Sequence, residues 1–293
     1  MPTTHADYAA KYGPWALVMG GSQGLGLAIA SQLVRRSLGV VICGRRADQL
    51  DAAARQLRES HGAEVRTVTV DAASADAAEQ VCTAVSDLEV GFLVYNCAAE
   101  PGGLFLESTE QEQIENIAVN CTTPTLLIQR LARPMAARGR GGIVVCSSLA
   151  AMQGIYNRVI YGAGKAYEML LGEGLWAELS QHGVGAASFM IGSTYTPNFI
   201  HDQQARNTIF ANSRTPEGLA QGTQVPQAPE EAAASLFMQI DQGWKPLIFA
   251  NPLDEARYRQ STVADRESAI TRMREMFLSG YRSLEGEAAG SSA

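Results

Sequence analysis

The sequence predicts a doubly wound α/β fold, a parallel sheet with helices on both faces, in a single domain. Three observations predict it. Short apolar runs alternate with longer stretches of helical period, a glycine-rich turn follows the first apolar run, and neither a fixed-period repeat nor an internal linker interrupts the alternation. The 293 residues suit one such sheet, because this architecture reaches that size around one core. Hydrophobic residues make up 46% and charged residues 18%, which supplies a large core and excludes a disordered chain.

Strands are read at 15–19, 40–43, 65–70, 91–95, 142–146, 185–191 and, last and short, 246–250. Helices are read at 25–38, 47–61, 75–88, 110–138 and 161–181. Strand and helix in this alternation form right-handed βαβ units, and ligands bind at the carboxyl ends of such strands, near the point where strand order reverses. Two segments stand outside the pattern. Residues 193–227, rich in Thr, Asn, Gln, Gly and Pro, read as a substrate loop. Residues 254–281 read as a helical C-terminal extension, ahead of a frayed Glu-, Ala-, Gly- and Ser-rich tail at 284–293.

Charge and cysteine content narrow the function. Lys and Arg number 23 against 30 Asp and Glu, a net charge of −7, which gives no electrostatic footprint for nucleic acid or an anionic membrane. Cys43, Cys82, Cys97, Cys121 and Cys146 are odd in number and scattered; they read as small thiols in a reducing compartment rather than a disulfide framework. His5, His61, His182 and His201 show no ligand spacing, so no metal site is expected. The polar N-terminus lacks the regions of a signal peptide, and no stretch reaches the ~18 apolar residues that span a bilayer. A cytoplasmic protein is the default expectation.

The turn Gly20-Gly21-Ser22-Gln23-Gly24-Leu25-Gly26 lies between the first apolar run and a helical pattern. In that context Gly20 permits a tight turn, Gly24 lets a diphosphate approach the backbone and Gly26 lets the helix pack on the sheet. Free N–H groups of the turn, with Ser22, Gln23 and Leu25 lining it, and the helix dipole then hold negative charge. The second strand ends in Cys43-Gly44-Arg45-Arg46. An NAD enzyme usually carries an acidic residue there for the ribose hydroxyls, and none is present. A guanidinium at that place suits the 2′-phosphate of NADP. NADP(H) is therefore the expected cofactor, with Arg45 carrying the preference, aided by Ser22 or Arg46.

Tyr161-Gly-Ala-Gly-Lys165 opens a helical segment, and a spacing of four puts both side chains on one face. An ammonium beside a phenol favours the phenolate, which suits acid–base work near neutrality. Ser148 stands 13 residues earlier, after an apolar strand, and Asn120 lies within the preceding helical segment. In these residues the sequence resembles the short-chain dehydrogenase/reductase family, specifically its single-domain, NADP-preferring members, over roughly residues 14–200.

Gly20, Gly24 and Gly26 match the family's glycine turn. Asp71, followed by Ala72, matches the acidic residue that usually holds the adenine amine. Asn96-Cys97-Ala98 falls where the family has Asn-Asn-Ala-Gly. Asn120, Ser148, Tyr161 and Lys165 match its catalytic tetrad. Gly192 and Thr196, with Thr194 between them, match the stretch that touches the nicotinamide. The resemblance implies that Tyr161 exchanges a proton with the substrate oxygen and that Ser148 hydrogen-bonds that oxygen. It implies that Lys165 lowers the tyrosine pKa and bonds the nicotinamide ribose, and that Asn120 holds a water linking Lys165 to solvent. Met19, Tyr95, Cys97, Ala98 and Ile191 depart from the family's usual residues without removing a reacting group. Gln23 replaces a basic residue that many NADP-preferring members carry.

The expected pocket walls, including Met152, Tyr156 and Phe199, are largely apolar, with Arg158, Arg206 and Arg214 isolated. They suit a neutral, bulky ketone or secondary alcohol, over which the loop closes. The resemblance also implies a homodimer or homotetramer through the helices that carry Asn120 and Tyr161. The C-terminal extension has three open roles: covering the pocket, meeting a neighbouring subunit, or packing on its own domain. Two other functions stay open: reduction of a C=C bond, and a non-catalytic scaffold that senses NADP.

Overall fold

The computed structural model describes residues 5–100, 103–195, 226–261 and 275. Its seven strands are β1 (Trp15–Met19), β2 (Gly39–Gly44), β3 (Val65–Thr69), β4 (Val90–Tyr95), β5 (Gly141–Ser148), β6 (Val184–Ile191) and β7 (Leu247–Phe249). All pair in parallel, in the order β3-β2-β1-β4-β5-β6-β7. Strand order reverses at β1, so the crevice of the doubly wound sheet opens where β1 and β4 end. The sheet carries α2 (Gly24–Arg35), α3 (Ala47–His61), α4 (Ala77–Ala84), α5 (Glu110–Ile117), α6 (Thr123–Arg138), α7 (Val159–Leu179), α8 (Pro229–Gln242) and α9 (Pro252–Ser261), after α1 (His5–Tyr12) at the N-terminus.

Successive strand residues feed opposite faces. Ala16, Val18, Val40, Ile42, Val94 and Val144 join the core under α2, α3 and α8. Leu17, Met19, Val41, Cys43, Leu93 and Val145 join the core under α4 and α6. Because helices cover both faces, the strands are continuous apolar runs rather than alternating ones. That is why all seven were legible in the sequence to within a residue or two at each end.

Three elements differ from the sequence expectation. Residues 110–138 do not form one helix. α5 starts at a Thr109 cap, whose hydroxyl accepts from the Glu112 N–H at 3.2 Å while Glu112 accepts from the Thr109 N–H at 2.7 Å. A wider π turn over Ala118–Thr122 then separates it from α6. Pro124 stands four residues after Asn120 and has no N–H to donate to its carbonyl, which disfavours a regular α-helical register there.

The polar N-terminus forms α1, because Tyr8 and Tyr12 lie four apart and both turn inward. Tyr12 meets Phe92 edge-on at 5.1 Å between ring centres and accepts from Trp244 Nε1 at 3.1 Å. The Tyr8 hydroxyl donates to Asp241. α8, also not anticipated, buries Ala232, Ala233, Leu236, Phe237 and Ile240 along one stripe against the core beneath α2. Most of the proposed loop at 193–227, most of the extension at 254–281 and the tail at 284–293 lie outside the described residues.

Candidate active site

The glycine turn sits at the crevice. Gly20 has a φ of +76°, which L side chains avoid, and its N–H donates to the Cys43 carbonyl at 2.9 Å, tying the turn to β2. A Cβ on Gly26 would lie 1.9 Å from the Gly20 carbonyl oxygen, so only glycine lets α2 start this close to the sheet. Asn96, just past β4, donates its amide to the same carbonyl at 3.3 Å and its N–H to Met19 O at 3.0 Å. Gln23 is the N-cap residue of α2 and makes no side-chain cap bond, and Gly24 begins the helix. The Ser22 hydroxyl lies over Gly44 at the end of β2. Leu25 has its side chain in the core, which leaves its main chain to the turn.

Arg45 follows β2 directly. It is exposed, and its guanidinium makes no hydrogen bond or ion pair among the described residues. Its charge acts on Cys97, across the crevice. Arg46 is the N-cap residue of α3. Asp71 is exposed, with one carboxylate oxygen accepting from the Ala73 N–H at 3.0 Å. Ala72 is buried, and its carbonyl accepts from Thr123 at 2.8 Å. Ala98 is exposed on the β4 exit. The thiol of Cys97 is pushed up to about 12 by burial, and burial also raises the thiols of Cys43, Cys82, Cys121 and Cys146. All five cysteines are free.

The four residues expected to form the tetrad lie at the end of β5 (Ser148), on α7 (Tyr161 and Lys165) and in the π turn between α5 and α6 (Asn120). Ser147 and Ser148, adjacent in sequence, divide their roles. Ser147 is buried and donates to the Lys165 carbonyl at 2.7 Å. The Ser148 hydroxyl accepts from the Ala150 N–H at 3.2 Å and donates to no protein group among the described residues. Tyr161 is half-buried on the first turns of α7, and its hydroxyl is likewise uncommitted. Lys165 is 4% exposed. Its Nζ lies 5.8 Å from the Tyr161 ring centre and donates to Cys146 O at 3.0 Å and to Glu168 Oε2 at 2.7 Å. Burial disfavours the lysine charge, yet Glu168 and Tyr161 outweigh it and hold its pKa above the ordinary range.

Asn120 sits in the π turn, fully buried, rather than within a regular helix. Its amide donates to Ala99 O at 2.9 Å and Asn116 Oδ1 at 3.0 Å, and its oxygen accepts from Ala99 N at 3.2 Å. One amide hydrogen therefore holds the β4 exit and the other is spent on Asn116 of α5. Asn116 also donates to Ala99 O, at 2.9 Å, a duplication that no motif in the sequence marked.

Of the remaining expected residues, Gly192 donates its N–H to Asp254 at 3.1 Å and Thr194 pairs with Gln227 in a short parallel bridge. Buried Asp254, on α9, was not singled out in the sequence. Met152 accepts from the Ser261 hydroxyl at 3.2 Å, so α9 packs on the turn that follows Ser148. Tyr156 is half-buried just ahead of α7. Arg158 pairs with Glu100 and so joins the β4 exit to the start of α7. Thr196 and Phe199 lie outside the described residues.

A glycine turn with positive φ where β1 ends, and a buried ammonium near a serine and a tyrosine whose hydroxyl hydrogens are uncommitted among the described residues, are the features of a dinucleotide-dependent oxidoreductase class. The comparisons agree. A family model described as short chain dehydrogenase matches residues 14–207. The 7beta-hydroxysteroid dehydrogenase of Clostridium sardiniense is 27% identical over 271 residues, 92% of this chain and 98% of that protein. A very-long-chain 3-oxoacyl-CoA reductase of Mus musculus is 30% identical over 184 residues, 61% of this chain and 59% of that protein. A solved structure described as 7beta-hydroxysteroid dehydrogenase superposes with a TM-score of 0.81 at 25% identity, covering 90% of this chain and 98% of that one. The chain belongs to the short-chain dehydrogenase family. It is an oxidoreductase of the alcohol and carbonyl type that uses a nicotinamide cofactor.

The Lys165–Glu168 pair has a thermodynamic consequence. Lys165→Met leaves a buried carboxyl without its counter-charge, and breaking a buried pair from one side costs about 3–5 kcal/mol. Burial already pushes Glu168 up to about 7, so the folded variant keeps a proton that the unfolded chain loses above the usual glutamate range. Stability is therefore lost as pH rises through that window. Denaturant unfolding of Lys165→Met should match the parent closely at mildly acidic pH and fall well below it at mildly alkaline pH. A pH-independent deficit would contradict the assignment.

Proposed function

We propose that this enzyme is an NADP(H)-dependent oxidoreductase that interconverts a neutral, bulky, largely apolar ketone and its secondary alcohol. The observation that carries the reading is the buried Lys165 ammonium, 5.8 Å from the Tyr161 ring centre and bonded to β5, with Ser148 at the end of that strand and the Tyr161 hydroxyl and the Ser148 hydroxyl hydrogen uncommitted among the described residues. Relatedness over 92% of the chain to an enzyme named for a hydroxysteroid supports the size of the substrate.

The cradle fits a dinucleotide. The glycines let α2 begin close against the end of β1, and the N–H groups at the start of α2 suit a diphosphate. The Arg45 guanidinium, unpaired among the described residues, suits a 2′-phosphate. When bound, the cofactor supplies the hydride donor or acceptor. Tyr161 gives its proton to the substrate oxygen in reduction and takes it back in oxidation. Ser148 donates its free hydroxyl hydrogen to the same oxygen, which fixes the carbonyl and stabilises developing charge. Lys165 places a positive charge within reach of the phenol. Asn120 and Asn116 hold Ala99, and with it the wall formed by Asn96 to Ala98. A water-holding role falls to the Asn120 main-chain carbonyl, to which Pro124 has no N–H to give, because the side-chain amide hydrogens are engaged.

Exposed apolar side chains on α5, α6 and α7, namely Ile114, Ile117, Leu126, Tyr167 and Leu170, support self-association through these helices. Among the described residues no helix is long and apolar enough to cross a membrane, and we place the enzyme in the cytoplasm.

NADPH consumption over a panel of polycyclic, alicyclic and linear ketones tests the reaction and its substrate class. Tyr161→Phe should abolish turnover on every active ketone while NADPH still raises the melting temperature; substantial residual rate would defeat the proton-transfer role. Arg45→Ala should lower kcat/KM for NADP by about 10–100-fold, equivalent to roughly 1.4–3 kcal/mol for a charge-assisted contact, and leave NAD unchanged. An unaltered NADP-to-NAD ratio would remove Arg45 from the assignment. Analytical ultracentrifugation should give a species larger than the 31.3 kDa chain, and Leu170→Glu should dissociate it; a monomeric parent would rule out this interface.

A further inference from the structure

The tetrad leaves one buried charge unexplained. Glu168 lies one turn beyond Lys165 on α7, is 0% exposed, and places Oε2 2.7 Å from the lysine Nζ. Its other oxygen, Oε1, is buried without any hydrogen-bond partner among the described residues. A half-satisfied carboxylate is a poor choice for packing alone, since an apolar side chain of similar size avoids the desolvation penalty. The helix backbone around it is firmly held: the Ser188 hydroxyl on β6 lies within hydrogen-bonding distance of the Glu168 and Met169 carbonyls, at 2.8 and 2.9 Å. The carboxylate is therefore presented to Lys165 by a rigid frame.

We propose that Glu168 is a positioning residue for the reaction: through the buried ion pair it draws the Lys165 ammonium toward Cys146 and sets how much positive field reaches Tyr161. The inference rests on the reading of Tyr161 and Lys165 as the proton-exchanging pair. Its physical basis is charge bookkeeping at short range. With Glu168 ionised, the pair is neutral overall and Tyr161 faces a dipole. With Glu168 protonated, Tyr161 faces a whole ammonium charge, which decays far more slowly with distance.

Burial pushes Glu168 up to about 7, against the opposing pull of Lys165, so the two states exchange near neutrality. The other titratable groups around the pair are Tyr95 from β4, Cys97 just past it, Cys121 from the π turn, Cys146 from β5 and Tyr161 on α7 itself. Burial raises Tyr95 and all three thiols, so these stay neutral in that range. Arg45 and Asp71 act on Cys97. Glu168 is thus the carboxyl beside the pair that changes charge near neutrality. The coupling makes oxidation self-limiting in pH. As pH rises, Glu168 ionises and weakens the field that assists the phenolate, so the ascending limb of the profile spreads beyond a single ionisation.

The test is the pH dependence of kcat/KM for oxidation of an alcohol identified from the panel, with the full chain and NADP. The parent should show a limb shallower than one ionisation. Glu168→Gln keeps an acceptor for Lys165 and removes the charge, so its limb should steepen to a single ionisation and move to lower pH. Each unit of displacement is a tenfold gain in kcat/KM at a fixed pH on the limb. The ultraviolet phenolate signal that Tyr161→Phe eliminates should move in the same direction. A profile of unchanged shape and position, a uniform loss at every pH, or a shift to higher pH would overturn the inference. If Glu168→Gln does not fold, infrared spectroscopy of the parent decides: a buried carboxyl protonating near neutrality supports it, and only carboxyls in the ordinary glutamate range overturn it. Turnover surviving in Tyr161→Phe would instead defeat the underlying reading of the site, whereas a dead Tyr161→Phe with an unmoved Glu168→Gln profile would defeat this inference alone.

Discussion

The charge on Lys165 is the constraint around which the rest of the cleft is arranged. An ammonium with 4% exposure must be paid for by close partners, and it has two: the Cys146 carbonyl at the end of β5 and the Glu168 carboxylate one turn along α7. The first contact exists only if α7 lies tightly on β5, and the second is made within α7, one turn apart. That packing is enforced from the sheet side, where Ser147 and Ser188 bond carbonyls of the same helix turns. The reacting side chains are therefore held by a helix-to-sheet interface rather than by loops, which is how a site keeps its geometry without a ligand.

A second set of contacts joins the cofactor side of the crevice to the reacting side. Asn96 ties the β4 exit to the glycine turn, and three residues on, Ala99 is held by Asn116 and Asn120. The ion pair between Glu100 and Arg158 continues this line to the start of α7. The π turn is what brings Asn120 into the row: it adds one residue to a helical turn and redirects a side chain that a regular helix would aim elsewhere. On the far side, buried Asp254 reaches from α9 to the Gly192 N–H, and Met152 receives the Ser261 hydroxyl. The first part of the C-terminal extension thus supports the wall after β6 and the turn after Ser148 in its own chain.

Much of this was legible beforehand, and the reason is periodicity. A parallel sheet covered on both faces must be built of apolar runs, so β1 to β7 stood out. The glycines at 20, 24 and 26, and the spacing of Tyr161 to Lys165, are local patterns imposed by backbone approach and helix geometry. What stayed hidden depends on distant partners. α1 offers only two inward tyrosines among polar neighbours, and its stability comes from Phe92, Phe237 and Trp244, which arrive from other parts of the chain. Glu168, read as sequence, is an ordinary helical glutamate.

The amino-acid order alone determined the fold class, the strand positions, the glycine cradle and the presence of a tyrosine, serine, lysine and asparagine in the right succession, because each is written in short-range spacing. The tertiary structure alone decided which hydroxyls stay uncommitted among the described residues, that the Asn120 amide is divided between Ala99 and Asn116, and that a carboxylate is buried against the Lys165 ammonium. Those outcomes depend on which surfaces exclude water once helix and sheet have met, and burial is a property of the assembled molecule that no local pattern encodes.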